Sequence, residues 1–505
     1  MVSWTNSSTD PPEHGSFLVL PNKTVQVGRD VQRNDVAFTI PVVSRCQLEI
    51  FSLVVDEEYS HPPLVFVRDR GSANGTAVNG KVIGKGVKLS PSRLLMDGDV
   101  ITIGDYVHLK LTYIQLLSAS PRYALTPLQR QEVELFQDRY VVTDLTIGDG
   151  GNAVVYLAIE VSTGQHAVCK VHDIRRFPSR SRKVERIRQE AILLSTLDHP
   201  NILPVKAAFE TSDTIYVIAE LATGGDLFAL MIRYNQLDEM KIRAVLRQVL
   251  RAVAYIHQKG VAHRDIKPEN VLCGITPSAP YRIMLSDFGD SGIPFRHGTS
   301  PNRLKSSVGT KFYRPPECEA PGSSHDFSVD IWAIGMMTVQ LLLGYQELPG
   351  LDTVMFHNQT EIDAYLDEVF EQIEELRQSS ISGMARDFVR KCLVFDSAQR
   401  PTARDLFYHG WLQHPKSDRN IFERLEADTN ATWRPQRIKY PLIEEIVTSD
   451  GGLASPKGWG DGPQREGQAA MNGTISTYFA AQNRNDALAL RPKVYPGPAA
   501  DIVGA

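Results

Sequence analysis

The 505-residue sequence has few cysteines, no long apolar run and no excess of basic residues. Its five cysteines are unclustered and include no Cys-x-x-Cys pair, a pattern typical of reduced intracellular thiols and not of a disulfide framework or a zinc site. No apolar stretch reaches the roughly 18 residues that a membrane span needs. The first residues also lack the basic start and apolar core of a secretory signal. We therefore expect a soluble intracellular protein that has no membrane partner.

The sequence also has no excess of positive charge. It contains 54 Lys and Arg and 59 Asp and Glu, which gives a net charge of -5. A chain without a basic surplus has no general attraction to nucleic acid, so we expect no direct nucleic-acid binding. What remains is an ordinary globular composition, 42% apolar and 22% charged. The length favours two to four domains.

The residue pattern divides the chain into four regions. Residues 1–116 predict an all-β sandwich, because short β-branched or aromatic segments alternate with Gly, Asn, Asp and Pro, without a helical period between them. Residues 117–138 predict a linker or lead-in. Residues 139–413 begin with strands and become mostly helical. Residues 414–505 predict a largely disordered tail, within which Tyr440–Val447 has the composition to pack against a domain.

Five motifs in the third region occur in a fixed order. They are IGDGGNAVVYLA (Ile147–Ala158), AVCK (Ala167–Lys170), HRDIKPEN (His263–Asn270), SDFG (Ser286–Gly289) and RPPE (Arg314–Glu317). Each one alone is weak, but the ordered set resembles the signature of the protein kinases. The resemblance covers about Arg139 to Trp411. It implies a bilobal α+β kinase fold behind the sandwich, with ATP and Mg²⁺ as cofactors.

The resemblance assigns the phosphate-binding lysine to Lys170 and its ion-pair partner to Glu190. Phosphoryl transfer depends on charge neutralisation and in-line positioning more than on covalent help, which explains the need for such a lysine. Glu190 lies on an apolar helical stripe with Ile187 and Ala191. A carboxylate on a buried stripe needs a partner, since burying it unpaired is costly.

The same resemblance gives roles to the catalytic loop. Asp265 would accept the proton of the substrate hydroxyl, and Lys267 would neutralise the transferring phosphoryl group. Asn270 and Asp287 would hold Mg²⁺, whose hard charge prefers oxygen ligands. Every catalytic residue of the family is present, which argues against a pseudokinase. Two further residues resemble buried structural ones: Asp330, and Arg400, which would pair with Glu317.

The nucleotide site implied by the resemblance includes the glycine-rich loop, the adenine pocket and the hinge. Its residues are Ile147, Gly148, Asp149, Gly150, Gly151, Asn152, Ala153, Val154, Val155, Val168, Lys170, Ala219, Glu220, Asp226 and Leu272. Gly148 and Gly150 have no Cβ, so backbone N–H groups can approach phosphate closely. Ala153 replaces the third glycine of the family pattern, and we expect the loop to work. Ala219 stands at the gatekeeper position, where most kinases have a larger residue, and the hypothesis is a pocket that accepts bulky inhibitors.

Two acidic residues predict the substrate. Asp226 and Glu269 occupy positions where basic-directed kinases contact arginine before the phosphoacceptor, so Arg-x-x-Ser/Thr is the expected sequence, since carboxylates favour bidentate guanidinium. The alternative is that Asp226 meets only the ATP ribose and Glu269 faces water. Lys267, two residues after Asp265, is the serine/threonine form of the loop. Asp290, where a hydrophobic residue is common, leaves the choice between Ser and Thr open.

The segment between SDFG and RPPE is predicted to be the activation loop. Ser306 and Ser307 are candidate phosphorylation sites, and Arg264 would be the cationic partner of a phosphate there. Simple loop polarity is the alternative explanation of the two serines. Thr310 matches a family threonine near the substrate and is expected to act as a structural contact.

The stretch GSANGTAVNG, from Gly71 to Gly80, belongs to the sandwich and contains two Asn-Gly pairs, a strong hairpin signal. Together with GR at 28–29, SR at 44–45 and DGDVITIG at 97–104, it resembles the forkhead-associated (FHA) domains. That family binds phosphothreonine. Asn79 and Gly80 are expected to form only the hairpin turn.

The FHA resemblance implies four ligand residues. Arg29 would be the main charge partner of the phosphate, Ser44 a hydroxyl donor, Arg45 a further cation and Asn74 a contact to the ligand backbone. The family often has His where Gln47 stands, in a supporting role. It also often has Thr or Ser at position 73, where this chain has alanine. Losing one hydrogen bond to a charged group costs about 1.5–3 kcal/mol, so we expect weaker binding that is not abolished.

An FHA domain ahead of a basic-directed kinase resembles the checkpoint kinases of the calmodulin-kinase-like group, which implies nuclear localisation. Because the chain contains no Ser-Gln or Thr-Gln, we favour the fungal meiotic type over the DNA-damage type. A phosphothreonine protein would recruit the kinase, which would self-associate, phosphorylate itself in trans and act on protein substrates. Two alternatives stay open: a catalytically silent phosphopeptide-binding scaffold, and an active kinase whose FHA-like region is only an assembly surface.

Overall fold

A computed structural model describes most of the chain up to residue 446. The described residues are 1–20, 24–53, 63–86, 90, 92–113, 124–150, 153–177, 182–274, 282–292, 311–318, 326–344, 356–433 and 443–446. Every structural statement below concerns these residues. The candidate phosphorylation sites Ser306 and Ser307, the loop residue Thr310, and Gly151 and Asn152 lie outside them.

The N-terminal domain is a sandwich of two β-sheets. Its strands are β1 (Val2–Asn6), β2 (Glu13–Phe17), β3 (Thr24–Gly28), β4 (Val36–Ala37), β5 (Leu48–Leu53), β6 (Leu64–Asp69), β7 (Thr76–Val78), β8 (Lys81–Gly84), β9 (Arg93–Leu95), β10 (Val100–Ile103) and β11 (Val107–Leu111). One sheet has the order β2-β1-β11-β10-β7-β8 and the other β4-β3-β5-β6-β9. Alternation of buried and exposed residues along β11 shows one face packed on the core. The predicted sandwich is confirmed.

The second domain begins with a smaller, sheet-rich lobe. Its elements are α1 (Pro127–Glu134), β12 (Tyr140–Gly150), β13 (Ala153–Glu160), β14 (His166–Asp173), α2 (Arg182–Thr196), β15 (Val205–Glu210) and β16 (Thr214–Glu220). The strands form one sheet in the order β12-β13-β14-β16-β15, and the strand β19 described below adds to its β15 edge. Helix α2 packs on the face that looks toward the larger lobe.

The larger lobe is mostly helical. Its elements are α3 (Leu227–Tyr234), α4 (Glu239–Gln258), β17 (Val271–Gly274), β18 (Arg282–Leu285), α5 (Ser328–Leu343), α6 (Gln359–Arg377), α7 (Gly383–Cys392), α8 (Ala403–Phe407) and α9 (Gly410–Gln413). Short 3₁₀ turns occur at Ile174–Arg176, Pro268–Asn270, Phe288–Asp290, Lys311–Tyr313, Pro316–Cys318 and Ser397–Gln399. Helix α5 is apolar on nearly every side and forms the centre of this lobe. The predicted bilobal architecture is therefore confirmed.

The segment predicted as a linker differs from that prediction in its described half. Thr126 caps α1 through a capping box with Gln129, and Pro127 stands at the first helical position. Phe136, just after the helix, is fully buried and stacks on Phe209 of β15 at 4.2 Å between ring centroids. Residues 124–138 are thus part of the small lobe, because their apolar side chains complete the outer core of its sheet.

The beginning of the predicted tail is also ordered. Helix α10 (Lys416–Thr432) packs along α4, and strand β19 (Ile443–Glu445) pairs in parallel with β15. The strand lies within Tyr440–Val447, the segment whose composition suggested packing. Boundaries at 413 and 414 therefore cut through packed structure, since Arg247 of α4 pairs with Glu426 at 2.8 Å. None of the helices that the structure describes is long and apolar enough to span a membrane.

The two domains touch at the tip of the β7–β8 hairpin. Lys81 Nζ donates to the carbonyl oxygen of Thr163 at 3.0 Å, in the turn between β13 and β14. On the outer face of the β5-β6-β9 sheet, Phe51 and Phe66 stack and are buried in the same hydrophobic cluster as the second domain. Arg29, Arg45 and Asn74, on the loops 28–35, 41–47 and 70–75, are exposed in the presence of this contact.

Candidate active site and phosphopeptide site

The sheet of the small lobe directs four predicted site residues to one face. Val155 lies opposite Lys170 in the β13–β14 pair, and Val168 lies opposite Ala219 in the β14–β16 pair. Residues directly opposite each other in an antiparallel pair share a face. All four are buried. The alignment that made Ala219 the gatekeeper is thus consistent with the observed register.

Lys170 and Glu190 come together beneath this sheet without a direct hydrogen bond. Glu190 of α2 is 2% exposed, and neither of its carboxylate oxygens has a hydrogen-bond partner among the described residues. Burial lowers the pKa of Lys170, against the opposing effect of Glu190 and Asp287. Burial, reinforced by Asp287, raises the pKa of Glu190 well above its usual range. Glu190 therefore lies near enough to Lys170 for the charge of each to act on the pKa of the other, as the predicted ion pair requires.

The catalytic loop forms a compact hydrogen-bonded unit. Asp265 Oδ2 accepts from Lys267 Nζ and from Asn270 Nδ2, both at 2.8 Å. Asn270 Nδ2 also donates to the main-chain oxygen of Asp265 at 2.7 Å. Burial opposes the charge on Lys267, but Asp265 prevails and raises the pKa of the lysine. Lys267 and Asn270 therefore hold the carboxylate of Asp265 in one orientation, which suits a positioned proton acceptor.

Two buried oxygens in this cluster fit a divalent cation. Asn270 Oδ1 and Asp287 Oδ1 are buried and have no hydrogen-bond partner in the part of the chain that the structure describes. Asp287 adopts a left-handed conformation with φ 58°, which a non-glycine residue rarely does away from functional sites. Carboxylate and amide oxygens are ligands that Mg²⁺ accepts, with phosphate and water completing its shell. The predicted metal ligands therefore fit the ion.

A buried aspartate holds the catalytic loop in place. Asp330 of α5 accepts from the backbone N–H groups of His263 at 2.8 Å and Arg264 at 2.7 Å, and contacts His257 Nε2 at 2.8 Å. These contacts stabilise the left-handed conformation of Arg264, whose φ is 72°. The predicted structural pair also forms, because Arg400 binds Glu317 through two hydrogen bonds of 2.6 and 2.8 Å.

Arg264 itself lies among charged residues of both signs, of which Asp290 and Asp330 act on its pKa more strongly than Arg186. Burial lowers the pKa of its guanidinium, and Arg186 of α2 is a further cation close to it. Asp290 acts in the opposite direction and stabilises the charged arginine. The arrangement suits the predicted role of Arg264 as the partner of an activation-loop phosphate.

Sequence reasoning missed a clamp behind the hinge. Arg282 Nη1 donates to Glu220 Oε1 at 2.7 Å, and Arg282 Nε donates to the main-chain oxygen of Pro200 at 2.8 Å. Arg282 lies on β18 of the large lobe and is 8% exposed. It joins the hinge to the loop that follows α2. No motif contains this arginine, so only the fold brings it to Glu220.

The gatekeeper hypothesis yields a direct prediction. Ala219 contributes only a methyl group to the face that carries Val168 and Lys170, so Ala219→Met would add three heavy atoms there. We expect a purine analogue with a bulky aromatic substituent to bind about 100-fold more weakly to the variant, since overpacking typically costs 1–3 kcal/mol. Competition binding measures this, and the KM for ATP should change by less than about fivefold. Equal analogue affinity for both proteins would contradict the pocket.

The structure also describes the surroundings of three further predicted residues, Leu272, Asp226 and Glu269. Leu272 is fully buried and forms a β-bridge with Asp226, whose Oδ1 caps α3 by accepting from the Ala229 N–H at 2.7 Å. Glu269 has one carboxylate oxygen that is buried and lacks a hydrogen-bond partner among the described residues. Asp226 is committed in part to a helix cap, which leaves Glu269 as the stronger candidate for a substrate arginine.

The glycine-rich loop is a hairpin of β12 and β13. In it, the backbone of Gly148, Asp149 and Gly150 pairs with Val155, Val154 and Ala153.

Three loops of the sandwich meet where the FHA resemblance places a ligand. The backbone N–H of Arg29 donates to the main-chain oxygen of Ser44 at 2.9 Å, and Ser44 Oγ accepts from the backbone N–H of Ala73 at 2.9 Å. Arg29, Arg45 and Asn74 are exposed at the rim. Asn74 Nδ2 donates to the Val42 carbonyl at 2.7 Å, which fixes its side chain. The four predicted ligand residues therefore lie together.

Gln47 supplies the support that histidine often provides. It is fully buried, its Oε1 accepts from the Ser44 N–H at 2.8 Å, and its Nε2 donates to the Gly75 carbonyl at 3.0 Å and to Thr76 Oγ1 at 3.2 Å. One side chain thus joins two of the three loops. Because an amide has both a donor and an acceptor, the substitution keeps the support intact.

Sequence reasoning also missed the buried carboxylate that shapes the Asn-Gly stretch. Asp69 accepts from the hydroxyls of Ser72 and Thr76 and from the N–H groups of Gly71 and Ser72. The hydroxyls of Ser72 and Thr76, on either side of the first Asn-Gly pair, therefore turn inward and hold the loop. Their spacing from a strand-ending aspartate was the available signal, since Asx turns of this kind order loops.

Asn79 does more than turn the chain. It has the positive φ of 51° that the hairpin predicts, next to Gly80 with φ 78°. In addition, Asn79 Nδ2 donates to Asp99 Oδ1 at 2.7 Å and its Oδ1 accepts from the Val100 N–H at 2.9 Å. The turn is thereby joined to β10.

Comparison with known families agrees with both parts of the fold. The FHA domain matches residues 25–104, and the protein kinase domain matches residues 141–412, more than half of the chain. The chain belongs to the protein kinase family and carries an FHA domain ahead of its kinase domain.

Three curated relatives that match most of this chain are named serine/threonine-protein kinases. The meiosis-specific serine/threonine-protein kinase mek1 of Schizosaccharomyces pombe is 28% identical over 73% of this chain and 77% of the relative. The serine/threonine-protein kinase cds1 of the same yeast is 27% identical over 75% and 79%. The probable serine/threonine-protein kinase fhkC of Dictyostelium discoideum is 28% identical over 79% of this chain, which spans 64% of that relative. The resemblance to FHA-containing checkpoint kinases is confirmed.

Proposed function

We propose that the protein transfers the γ-phosphate of ATP to Ser or Thr in Arg-x-x-Ser/Thr sequences and is recruited through its FHA domain to a phosphothreonine protein. The observation that carries this proposal is the convergence of Asp265, Lys267, Asn270 and Asp287 beside Lys170. A scattered set of these side chains could not neutralise a triphosphate and orient a hydroxyl at the same point.

Each residue has a defined part in the transfer. Asp265 orients the substrate hydroxyl and accepts its proton, and Lys267 holds its carboxylate in place. Lys267 then neutralises charge that develops on the transferring group. Lys170 binds the α- and β-phosphates, and Glu190 orients the lysine. Asn270 and Asp287 would hold Mg²⁺, which supplies charge neutralisation between the phosphates.

Recruitment is supported by the geometry of the rim. A phosphate has nearly two charges and three strong acceptors, and Arg29, Arg45 and Ser44 offer complementary groups. Ala73 contributes its backbone N–H to Ser44 and no hydroxyl to a ligand. We therefore propose phosphothreonine binding that is weaker than in a domain with Thr or Ser at this position. Docking would raise the local concentration of the kinase and favour phosphorylation of one copy by another.

Meiotic recombination checkpoint signalling in the nucleus is the proposed pathway. The chain has no Ser-Gln or Thr-Gln, and one relative is named a meiosis-specific kinase. The DNA-damage checkpoint is the second candidate, because the similarity to cds1 is nearly equal in identity and extent.

Substrate selection provides the test. We expect wild-type protein to transfer radiolabelled phosphate to an Arg-x-x-Ser peptide with a kcat/KM at least tenfold above that for Ala-x-x-Ser, because a charge-assisted hydrogen bond is worth about 1.5–3 kcal/mol. Glu269→Gln should remove most of this preference and leave the Ala peptide unaffected. The exposed Glu371→Gln of α6 is the matched control. Equal use of both peptides by wild-type protein would contradict the substrate class, and no transfer at all would favour the silent scaffold.

A further inference from the structure

The strand that follows the Asn-Gly loop of the sandwich lies between two others in its sheet. Strand β7 pairs with β10 on one side, where Thr102 is opposite Ala77, and with β8 on the other, where Gly84 is opposite Thr76. Since both neighbours are antiparallel to β7, their C-terminal ends lie beside its first residue. The loop that carries Asn74 is therefore flanked by the residues that follow β10 and by those that follow β8.

The flank on the β10 side carries a negative charge. Asn74 Nδ2 donates to the Val42 carbonyl at 2.7 Å, and a Cβ at Gly104, the residue after β10, would lie 2.7 Å from Val42 Cγ2. Asp105 comes next and is exposed in the turn between β10 and β11. A carboxylate at this position disfavours an acidic ligand side chain on the same side of Asn74, because like charges at an interface repel each other.

The flank on the β8 side carries a positive charge, which belongs to Lys85. The stem of this lysine lies over Gly75, where a Cβ would be 3.2 Å from Lys85 Cβ and 3.5 Å from its Cδ. Gly75 has a φ of 89°, which favours glycine, and the missing Cβ leaves room for the stem. The next residue is fastened as well, because the Gly86 N–H donates to the Ser72 carbonyl at 2.8 Å. Lys85 is thus held against the loop of the proposed ligand site.

The ammonium group of Lys85 is available to a ligand. Lys85 is exposed, and its side chain makes no hydrogen bond or ion pair to the residues that the structure describes. Lys81 at the other end of β8 differs, since its Nζ donates to the Thr163 carbonyl of the kinase domain. Because packing already restricts the stem of Lys85, pairing its ammonium with a carboxylate costs less side-chain entropy than it would for an unrestrained lysine.

We propose that Lys85 selects phosphothreonine ligands that have an acidic residue on the β8 side of the phosphothreonine. The proposal rests on the phosphothreonine binding proposed above and adds the sequence class of the ligand. Arg29 and Ser44 bind the phosphate, and Lys85 pairs with a carboxylate of the same ligand on the far side of the Asn-Gly loop. Asp105 disfavours acidic residues on the opposite side. The preferred ligand is therefore acidic on one side of its phosphothreonine only.

Fluorescence anisotropy of the full-length protein with defined phosphothreonine peptides tests this selection. The parent peptide has alanine at the three positions on either side of phosphothreonine, and Asp replaces one alanine at a time. We expect Asp on one side to raise the affinity about three- to fivefold, as exposed ion pairs do, and this gain to shrink at high salt. Lys85→Gln should remove the gain and leave the affinity for the parent peptide within about twofold. Lys85→Glu should favour Lys over Asp at the same position.

Lys110→Gln is the matched control, because Lys110 is exposed on β11 opposite Val100, at the end of the same sheet away from the ligand loops. This variant should keep the full preference for Asp. Absence of an Asp preference in wild-type protein, or an unchanged preference in Lys85→Gln, would overturn the proposal. Equal weakening of every peptide by Lys85→Gln would also overturn it, since Lys85 would then bind the phosphate. If wild-type protein bound none of the peptides, phosphothreonine recruitment itself would be refuted, and the selection with it.

Discussion

Asp265→Asn is expected to lower the kcat for peptide phosphorylation by about a thousandfold, since a positioned general base typically contributes 10²–10⁴-fold. The side chains are nearly isosteric, but an amide cannot take up the substrate proton. It would also present an N–H₂ group to Lys267 or to Asn270, where the carboxylate now accepts from both at 2.8 Å. A radiolabel assay with saturating ATP and an Arg-x-x-Ser peptide measures the effect.

The control for this variant is binding, because Asp265 is not a ligand of the nucleotide or of the FHA peptide in the proposed mechanism. ATP with Mg²⁺ should still raise the melting temperature of Asp265→Asn, and phosphothreonine-peptide affinity should equal that of wild type. Activity within tenfold of wild type would show that another group accepts the proton. The catalytic-loop alignment would then need revision.

Local motifs made the catalytic cluster predictable. Asp265, Lys267 and Asn270 lie within six residues, so their mutual geometry is set by one loop whose residue types are themselves the signal. The family resemblance assigned Val155, Val168 and Ala219 to one pocket, and the strand register places them on one face of the sheet, while their contact with the nucleotide stays a prediction. Where the chemistry depends on one segment or one regular element, sequence alone identifies it.

Contacts between distant segments were not predictable in this way. The Arg282–Glu220 pair joins residues 62 positions apart, and the Glu132–Tyr216 hydrogen bond joins residues 84 positions apart. Neither lies in a motif. A polar residue such as Glu132 on a short amphipathic stretch predicts solvent exposure. Instead, Glu132 is a buried residue of α1 and accepts hydrogen bonds from both Tyr216 and Thr211. Burial of this kind is decided by which element covers the sheet, and hydropathy does not encode that.

In the sandwich loops, the sequence predicted where the ligand site lies but not which hydrogen bonds Gln47 makes there. Family comparison marked Gln47 and Ala73 as departures that weaken a site. The structure shows that Gln47 fulfils its supporting role through three hydrogen bonds. Only the missing hydroxyl at Ala73 remains as a loss. A substitution can therefore keep a function when the new group has the same donors and acceptors at the same reach.

Arg29→Ala is expected to reduce phosphothreonine-peptide affinity at least about 100-fold, because charge-assisted hydrogen bonds to a phosphate contribute roughly 1.5–3 kcal/mol each and arginine can make two. The loop should persist, since the hydrogen bond that Arg29 makes to the described residues comes from its backbone, whose N–H donates to the Ser44 carbonyl at 2.9 Å. Fluorescence anisotropy with a library-selected phosphothreonine peptide measures the affinity. In cells, phosphorylation of the activation loop should fall with it, because docking supplies the local concentration for trans-phosphorylation.

Arg33→Ala is the matched control for this prediction. Arg33 is an exposed arginine on the same loop, and it pairs with Asp30 at 3.5 Å. Removing it changes the net charge by the same amount but takes no proposed ligand from the phosphate, so binding should fall by no more than a few fold. Equal affinities of the Arg29→Ala and wild-type proteins would mean that the sandwich is an assembly surface. Purified Arg29→Ala protein retains every catalytic residue and can still phosphorylate. Lost binding with intact activation-loop phosphorylation would therefore show that activation does not depend on docking.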